Sequence, residues 1–271
     1  YRFEEIATDQ DSIRALVELM KSCFPDSDKF SADFFEWQYI NNPAGKVHGY
    51  SAYLGDELAA HYATIPVDYV FNGKPAKGLL SLNTATHRDH QGKGLFSQLA
   101  LKTYDEAAVK GFNFVIGVAN ANSTPGFIRK LGFELVQQLD VFIGQGSFKR
   151  ERCDYEIHAV RSTEFYDWGL ANPAEEYQIT EDYITTIRKF KGMHPVLSMN
   201  HGLNPNGKIS RMKMWIGVDP NISKKGIFTA LPEKLKPSPL NLIFRDLTDE
   251  SKELLRTRCK KDCYLFDYQI N

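Results

Sequence analysis

The spacing of apolar residues predicts two helices near the start of the chain. From residue 11 to residue 24, apolar side chains beginning with Ile13 and Leu16 recur at intervals of three and four. This spacing places them on one face of an amphipathic helix. Residues 32–40 predict a second, aromatic-rich helix, which ends before Pro43 because proline cannot continue a helix.

A series of strands is predicted next. The strand-like segments cover residues 48–54, 58–66, 67–71 and 79–86. Asn72 and Gly73 follow an apolar run, and an Asn-Gly pair in this setting is the strongest short hairpin signal. The sequence therefore predicts mostly antiparallel strands in this region.

Beyond Gly94 the pattern alternates between helix and strand. The predicted elements are a helix from Leu95 to Val109 that Gly111 ends, a buried strand over 112–118, a short helix that Pro125 opens and Gly132 ends, and a strand over 133–143. This alternation adds an α/β crossover to the antiparallel strands, so the predicted fold class is α/β with α+β character.

A segment in the second half of the chain resembles a segment in the first half. Residues 164–168, Glu-Phe-Tyr-Asp-Trp, followed by Asn-Pro-Ala at 172–174, resemble Asp-Phe-Phe-Glu-Trp at 33–37 followed by Asn-Pro-Ala at 42–44. Either the chain contains an internal duplication, or two aromatic helices each end at Asn-Pro. After a proline-marked loop, the pattern predicts a strand over 242–244, a helix over 254–258 and a strand over 264–270.

Composition excludes several classes of protein. The chain has 271 residues, of which 42% are apolar and 25% charged, as in water-soluble globular proteins. A net charge of -1 with scattered basic residues argues against a nucleic-acid partner. No apolar run approaches the roughly 20 residues that span a bilayer, and the charged first residues do not resemble a signal peptide, so we expect a cytoplasmic protein without a membrane partner. The four cysteines lack a second pair with zinc spacing, and no metal is expected.

The segment from Gln91 to Phe96 is a candidate anion site. It follows a predicted strand, contains Gly92 and Gly94, and opens a helix. Unpaired N–H groups and the helix dipole at such a position attract phosphate. The segment is neither a Walker loop nor a dinucleotide fingerprint, since it lacks the Gly-Lys-Ser/Thr of the first and the third glycine of the second.

Two ordered motifs resemble those of the GNAT superfamily of N-acetyltransferases. Gln91, Gly94 and Phe96 match the pyrophosphate loop Gln/Arg-x-x-Gly-x-Gly/Ala, except that Phe96 replaces a small residue. Residues 120–123, Asn-Ala-Asn-Ser, and 127–133, ending in Leu-Gly-Phe, match the family's region after its fifth strand. The resemblance covers about residues 1–143.

The resemblance implies a fold and a cosubstrate. It implies a mixed, mostly antiparallel, splayed sheet flanked by helices over residues 1–144, and it leaves a second, smaller α+β lobe over 145–271. Under the duplication interpretation this lobe is a degenerate GNAT-like unit that closes the acceptor cleft, and deleting it spares cofactor binding. The cosubstrate is acetyl-CoA, and the implied contacts are Ala85, Thr86, Gln91, Gly92, Lys93, Gly94, Leu95, Phe96, Asn120, Ser123 and Phe127.

The implied activity is transfer of an acetyl group to a primary amine, with a small metabolite such as an amino sugar as the acceptor. Ile128 stands where many family members have the tyrosine that protonates the thiolate. Ser123, Tyr62 or water are therefore the candidate acids, and His87 and His61 are the candidate bases. The alternative is a catalytically inactive acyl-CoA-binding sensor or scaffold.

Overall fold

The computed structural model describes most of the chain. The described residues are 1–71, 73–150, 157–179, 183–187, 194–199, 212–217, 222–232 and 240–248. Within them the helices are α1 Gln10–Cys23, α2 Ala32–Tyr39, α3 Leu95–Val109, α4 Thr124–Leu131 and α5 Thr163–Leu170. The strands are β1 Arg2–Glu5, β2 His48–Leu54, β3 Glu57–Phe71, β4 Lys74–Thr86, β5 Phe114–Ala119, β6 Glu134–Gln138, β7 Asp140–Arg150, β8 Ile157–Ala159, β9 Tyr177–Ile179, β10 Tyr183–Thr186, β11 His194–Met199, β12 Lys213–Gly217, β13 Ile222–Ala230 and β14 Asn241–Asp246.

The helices begin and end where their local sequence signals predict. The side chain of Asp9 caps α1 by accepting hydrogen bonds from the backbone N–H groups of Asp11 and Ser12, each at 3.1 Å. Pro125 lies in the first turn of α4, and Gly132 ends it with a φ of +66°. These elements confirm the helices predicted from apolar spacing and turn residues.

The predicted hairpin is formed, but its first arm is longer than expected. Phe71 pairs with Lys74, and Gly73 has a φ of +77°, whereas Asn72 lies outside the described residues. The prediction of separate strands over 58–66 and 67–71 is wrong, because β3 is continuous through Pro66. Its pairing with β2 ends at Thr64, so the proline occurs where no N–H is needed for that ladder.

The first sheet is mixed and mostly antiparallel. Its strand order is β1-β2-β3-β4-β5-β14-β6, and β8 pairs with the end of β3. The neighbours β4 and β5 are parallel, and they pair only from Gly78 with Phe114 to Ser81 with Gly117. Both strands continue beyond that last pair, so the sheet opens there into a wedge, which confirms the expected splayed sheet.

Helices cover both faces of this sheet. One core cluster packs α3 and α4 against the sheet through residues such as Leu99 and Leu131. On the other face, Ile13 of α1 and Phe35 of α2 belong to a second cluster, which Trp168 of α5 joins. Adjacent residues of a strand point to opposite faces, so a single strand contributes to both layers.

The second sheet repeats the strand order of the first. Its order is β13-β7-β12-β11-β10-β9. Across this sheet from the β9 edge to the β13 edge, the third pair, β11 with β12, is parallel, and the two pairs on each side of it are antiparallel. Across the first sheet from β2 to β6, the third pair, β4 with β5, is likewise parallel, and the two pairs on each side of it are antiparallel. The internal duplication is still a prediction, and this match is consistent with it.

The two sheets exchange strands. The predicted single strand over 133–143 is wrong, because β6 belongs to the first sheet and β7 to the second. The break falls at the buried Leu139, whose N–H donates to the carbonyl of Leu240 at 2.8 Å just before β14. β14 then returns to the first sheet between β5 and β6 and confirms the strand predicted over 242–244.

The division into units at residue 144 stays a prediction. The strand exchange shows only that residues on each side of 144 contribute to the other side's sheet. The helix predicted over 254–258 and the strand predicted over 264–270 lie outside the described residues, as do Cys153, Cys259 and Cys263. Cys23 is a free, half-buried thiol.

Candidate active site

An exposed, glycine-containing loop joins β4 to α3. A single 3₁₀ turn, Arg88–His90, leads into residues 91–94, which are all exposed. Gly92 and Gly94 have φ values of +76° and +74°, in the left-handed region that favours glycine. Gly94 is the N-cap of α3 and provides no side-chain capping bond. The N–H groups in the first turn of α3 therefore lack a capping side chain from residue 94, an arrangement that suits an anion.

The wedge between β4 and β5 leads directly to this loop. Its apex is the last parallel pair, Ser81 and Gly117. Residues 82–86 of β4 form one side of the wedge and end at the loop. The carbonyl of Thr86 already accepts a hydrogen bond from the side chain of Gln91 at 3.3 Å, which ties the loop to the strand.

A β-bulge interrupts β4 within the wedge. The register between β3 and β4 shifts so that Asn83 and Thr84 both lie opposite Tyr62. Among the described residues, Asn83 is the only non-glycine residue with a positive φ, +43°. Its Nδ2 donates to the Oε1 of Gln38 and, at 3.1 Å, to the hydroxyl of Tyr39. Helix α2 therefore fixes the bulge from one face of the sheet.

His61 belongs to a buried network behind this bulge and is not an accessible base. It pairs with Ala85 in the ladder and is 2% exposed. Its ring nitrogens lie 3.0 Å from the Tyr39 hydroxyl and 2.9 Å from the Ser51 hydroxyl. Burial lowers the pKa of His61 to about 3, so the imidazole is neutral near neutral pH. Its two hydrogen bonds occupy both nitrogens.

Tyr62 and Ser81 place two hydroxyl groups at the apex of the wedge. The Tyr62 hydroxyl lies 2.8 Å from the Ser81 hydroxyl and 2.5 Å from that of Tyr104. Burial raises the pKa of Tyr62 to about 12, so the hydroxyl keeps its proton at neutral pH. A Cβ placed on Gly117 would lie 3.3 Å from the Ser81 Cβ, so the apex is narrow.

The residues after β5 organise the start of α4. The side-chain Oδ1 of Asn120 accepts the backbone N–H of Ser123 at 2.9 Å, and the Ser123 hydroxyl accepts the N–H of Asn120 at 3.1 Å. Both side chains thus already stabilise this turn. Phe127 is a core residue, 6% exposed, and Ile128 packs against the same core. The acid and cofactor roles implied for Ser123, Asn120 and Phe127 stay predictions.

Phe96 fills the space between α3 and α4. Its ring centroid lies 5.2 Å from that of Phe127 and 5.9 Å from that of Tyr62. A Cβ placed on Gly126 would lie 3.3 Å from the Phe96 ring, so the glycine allows this close packing. The residue that departs from the family motif thus links the anion loop to α4 and to the apex.

His87 lies at the loop end of the wedge, away from the apex. Six positions separate it from Ser81 (81 to 87), and an extended chain rises about 3.3 Å per residue, so the two are separated by roughly 15 to 20 Å with the bulge included. His87 instead clusters with Glu57 and His90. This position argues against His87 as a base at the apex.

A cavity opens on the sheet face opposite to α3 and α4. It encloses about 840 Å³ including space open to solvent. Its wall includes Leu80 and Ile116, the pair immediately before the apex. Asp68 and Arg161 also line it, and the remaining wall comes partly from α5 and the segment that precedes it. Side chains from both halves of the chain therefore surround the cavity.

Sequence reasoning missed several of these residues. Asn83 carried a usable signal, because asparagine is rare within strands and tolerates a left-handed conformation. Ser81, Asp68 and Arg161 carried none, because only the folded chain brings them to the apex or the cavity.

A mixed sheet with helices on both faces, opening toward an exposed glycine loop, defines the class of protein: an α/β protein with a splayed sheet and a candidate anion loop at its opening. The family model described as an Acetyltransferase (GNAT) domain matches residues 6–136. The N-terminal half of the chain belongs to the GNAT acetyltransferase superfamily, which confirms the resemblance of its two motifs.

Solved structures share the fold across both halves of the chain. A probable N-acyltransferase of unknown function from Enterococcus faecalis V583 has a TM-score of 0.63 and 13% identity, covering 91% of this chain and 72% of that one. A GCN5-related N-acetyltransferase from Anabaena variabilis ATCC 29413 has a TM-score of 0.60 and 13% identity, covering 91% and 73%. Eis1 from Mycobacterium abscessus has a TM-score of 0.57 and 9% identity, covering 93% and 75%.

No curated protein matches the sequence. Among the described helices, none has the length and apolar character needed to cross a membrane. The cytoplasmic location stays a prediction.

Proposed function

We propose that this chain transfers an acetyl group from acetyl-CoA to a primary amine of a small molecule such as an amino sugar. The observation that carries the proposal is the wedge that opens at Ser81 and Gly117 and leads along residues 82–86 to the exposed loop 91–94. In this proposal the loop binds the diphosphate, β4 binds the pantetheine arm by its free edge, and the apex receives the thioester.

The loop has room for a diphosphate. A Cβ on Gly92 would meet no atom within 4 Å, and one on Gly94 would meet only the Gln98 amide nitrogen at 3.5 Å. Lys93 adds a positive charge beside the loop, held by its ammonium group's 2.9 Å hydrogen bond to the Tyr1 hydroxyl. Backbone donors and a lysine together suit a doubly charged group better than a neutral one.

The apex suits direct attack of an amine on a thioester. The neutral amine nitrogen forms the new C–N bond, the C–S bond breaks, and the thiolate leaves with the electron pair. The nitrogen releases one proton to water, so the products are the amide, the thiolate and a solvated proton. The bulge at Asn83 takes backbone out of the regular ladder, and an N–H at this point would stabilise the developing oxyanion. The Tyr62 pKa, raised to about 12 by burial, exceeds that of a thiol, so the Tyr62–Ser81 pair donates hydrogen bonds to the sulfur without losing a proton.

The cavity on the opposite face is the proposed acceptor site. Leu80 and Ile116 line it one residue before the apex, so an amine in the cavity would meet the thioester through the opening of the sheet. The cavity is concave and lined largely by apolar side chains with a few polar groups, as small-molecule sites are. The exposed carboxylate of Asp68 at its wall would attract an amine-bearing substrate. Helix α5 forms part of the cavity wall, which supports the expectation that the second lobe closes the acceptor cleft.

The cofactor proposal is tested by calorimetric titration with acetyl-CoA. A Gly94→Glu variant places a carboxylate where the diphosphate is expected and should lose binding through repulsion. Gly111→Glu is the matched control, because Gly111 also has a positive φ, +84°, with no atom within 4 Å of its Cβ, but lies at the far end of α3. Equal binding by all three folded proteins would refute the loop assignment. Binding without turnover on a broad amine panel would instead favour the acyl-CoA sensor.

The acceptor proposal is tested with Asp68→Asn, once an acetylated amine is found in the panel. The KM for the amine should rise about tenfold with little change in the affinity for acetyl-CoA, because only the acceptor loses an attractive charge. Asp105→Asn on the exposed face of α3 is the control. An unchanged KM in Asp68→Asn would place the acceptor elsewhere.

A further inference from the structure

Three side chains with metal-binding atoms converge beside the anion loop. Glu57, His87 and His90 each offer one ligand atom, and these atoms all lie within 4.8 Å of one another. Glu57 is the first residue of β3, and after β4 His87 caps the 3₁₀ turn that His90 ends. Sequence analysis missed this group because Glu57 lies 30 or more positions before the two histidines and the set has no zinc-finger spacing.

The fold brings these residues together through the β3–β4 ladder. Ala60 pairs with Thr86, and the N–H of His87 continues the ladder by donating to the carbonyl of Ala59 at 2.9 Å. The N–H of His90 then donates to the carbonyl of His87 at 2.9 Å and closes the turn. Both histidines therefore lie beside the start of β3, where Glu57 is.

The ligand set and its spacing suit zinc. The Nε2 of His90 lies 3.2 Å from the Oε1 of Glu57. Two ligands of one tetrahedral zinc ion, at bonds of about 2.0 to 2.1 Å, are separated by about 3.3 Å. Two imidazoles and one carboxylate with a position left for water form a known type of zinc site. The Glu57 side chain is 54% exposed, so it has the freedom to complete the geometry.

The buried histidine has the support that a metal ligand needs. The side chain of His90 is 6% exposed, and its Nδ1 lies 2.9 Å from the Tyr1 hydroxyl. With Nε2 directed to a metal, Nδ1 carries the proton and donates a hydrogen bond to the Tyr1 hydroxyl, which fixes the ring and its tautomer. Tyr1 also accepts a hydrogen bond from Lys93 of the loop at 2.9 Å. The ligand group and the loop therefore share one hydrogen-bonded support.

We propose that Glu57, His87 and His90 bind a divalent metal ion of the zinc class, and that the bound ion fixes the turn from which the anion loop begins. The loop starts at Gln91, the residue after His90. Fixing this turn lowers the entropy cost of ordering the loop on an anion, and the ion adds positive charge nearby. The effect on cofactor binding rests on the proposed function, whereas the metal site itself does not.

The test is a titration of the untagged protein with Zn²⁺ alone, without acetyl-CoA. We expect one equivalent to bind, and we expect the affinity to fall by about a hundredfold or more in Glu57→Gln and in His87→Asn, since each removes a direct ligand and the loss of an outer-shell partner alone costs about 10- to 100-fold. Both side chains are partly exposed, so these variants should fold, unlike substitutions of the buried His90. Asp56→Asn, in the adjacent turn, is the matched control and should bind like the parent. No binding by the parent, or equal binding by the ligand variants, overturns the site.

The second measurement is the affinity for acetyl-CoA with and without one equivalent of Zn²⁺. The expected change is a tightening of about fivefold or more that is absent in Glu57→Gln. Unchanged affinity in the zinc-loaded parent overturns the effect on the loop. If Zn²⁺ binds but acetyl-CoA binds under neither condition, the cofactor proposal fails and the metal site stands.

Discussion

Trp37 and Trp168 exchange hydrogen bonds reciprocally across the junction between α2 and α5. The indole N–H of Trp37 donates to the carbonyl of Trp168 at 2.6 Å, and the indole N–H of Trp168 donates to the carbonyl of Trp37 at 2.9 Å. Their rings stack with centroids 4.7 Å apart and planes 11° from parallel. Both side chains are buried, so this pair joins the two halves of the chain through matched contacts.

The surroundings of the two tryptophans match as well. Ser31 caps α2 and Ser162 caps α5, each accepting the N–H of the phenylalanine three residues later at 3.2 Å. Asn42 and Asn172 each accept the N–H of the alanine two residues later, at 3.1 and 2.9 Å. Together with the matching strand succession of the two sheets, these contacts support the duplication interpretation, although no comparison confirms it.

The reciprocal pair predicts a measurable coupling. Trp37→Phe and Trp168→Phe each remove one buried indole hydrogen bond and reduce the stacked ring area, which should lower the free energy of unfolding by about 1 to 3 kcal/mol each. Urea unfolding of both single variants and the double variant gives the interaction energy, expected at about 0.5 kcal/mol or more because the residues contact each other. Additive effects would contradict the coupling.

Local sequence signals were sufficient for much of the first half of the fold. Strand β2 has the predicted bounds, and α4 lies between the predicted Pro125 and Gly132. These elements depend on side-chain periodicity and turn residues, which act over a few positions.

The exchange of strands had no such signal. Residues 133–143 contain neither glycine nor proline. No local signal therefore marks Leu139 as the point where the chain passes from the first sheet to the second. The destination of β7 depends on pairing with β12 and β13, which lie at least 63 positions later. Likewise the anion loop was predicted from its own residues, whereas the cavity needed contacts between the two halves.

The hydroxyl pair at the apex predicts a specific kinetic effect. Tyr62→Phe removes the hydroxyl proposed to act with Ser81 on the leaving sulfur, so kcat should fall about tenfold or more with little change in the KM for acetyl-CoA. Tyr104→Phe is the matched control. It removes the second hydrogen-bond partner of the Tyr62 hydroxyl but leaves that hydroxyl beside Ser81. Equal losses of kcat in both variants would indicate a packing role instead.

The bulge at Asn83 predicts different stabilities for two substitutions. Asn83→Ala loses both side-chain hydrogen bonds and keeps a Cβ at a φ of +43° without the polar side chain that lets asparagine adopt this conformation, so it should destabilise by about 2 to 4 kcal/mol. Asn83→Gly loses the same bonds but avoids the strain, and should be more stable than the alanine variant by about 1 kcal/mol. Chemical denaturation measures both. An alanine variant as stable as the glycine variant would show that the positive φ stores no strain.

His61 predicts a pH dependence of stability. Burial lowers its pKa to about 3 in the folded protein, whereas the unfolded chain has a value of about 6.5. Between these values the unfolded state binds more protons, so stability falls as the pH decreases below about 6.5. This residue should account for a loss of about 2 to 3 kcal/mol between pH 7 and pH 4.5.

The comparison of two histidine variants isolates this contribution. His61→Gln should flatten the pH dependence of the unfolding free energy over this window. The pKa of His48 is also lowered, mainly by burial, but His48 is only partly buried, so His48→Gln should flatten it less. If His61→Gln keeps the slope of the parent, then His61 does not hold the depressed pKa.

Strand exchange predicts that residues 1–144 do not fold alone, contrary to the expectation that deleting the second lobe spares cofactor binding. β14 lies between β5 and β6, and its residues Leu242, Ile243 and Phe244 are at most 1% exposed. Without it, two strand edges and a buried apolar surface face solvent. The fragment should therefore be insoluble or lack a cooperative unfolding transition.

The ladder also shows how to restore the fold of the fragment. Gln138 at the end of β6 pairs with Asn241 at the start of β14, so a two-residue Asn-Gly turn has the right length to join them as a hairpin. A chain of residues 1–138, Asn-Gly and residues 241–248 should unfold cooperatively and bind acetyl-CoA, although with lower stability because Trp37 loses Trp168. Circular dichroism during urea titration distinguishes the two chains. If the joined chain also fails to fold, the first sheet depends on the second lobe for more than β14.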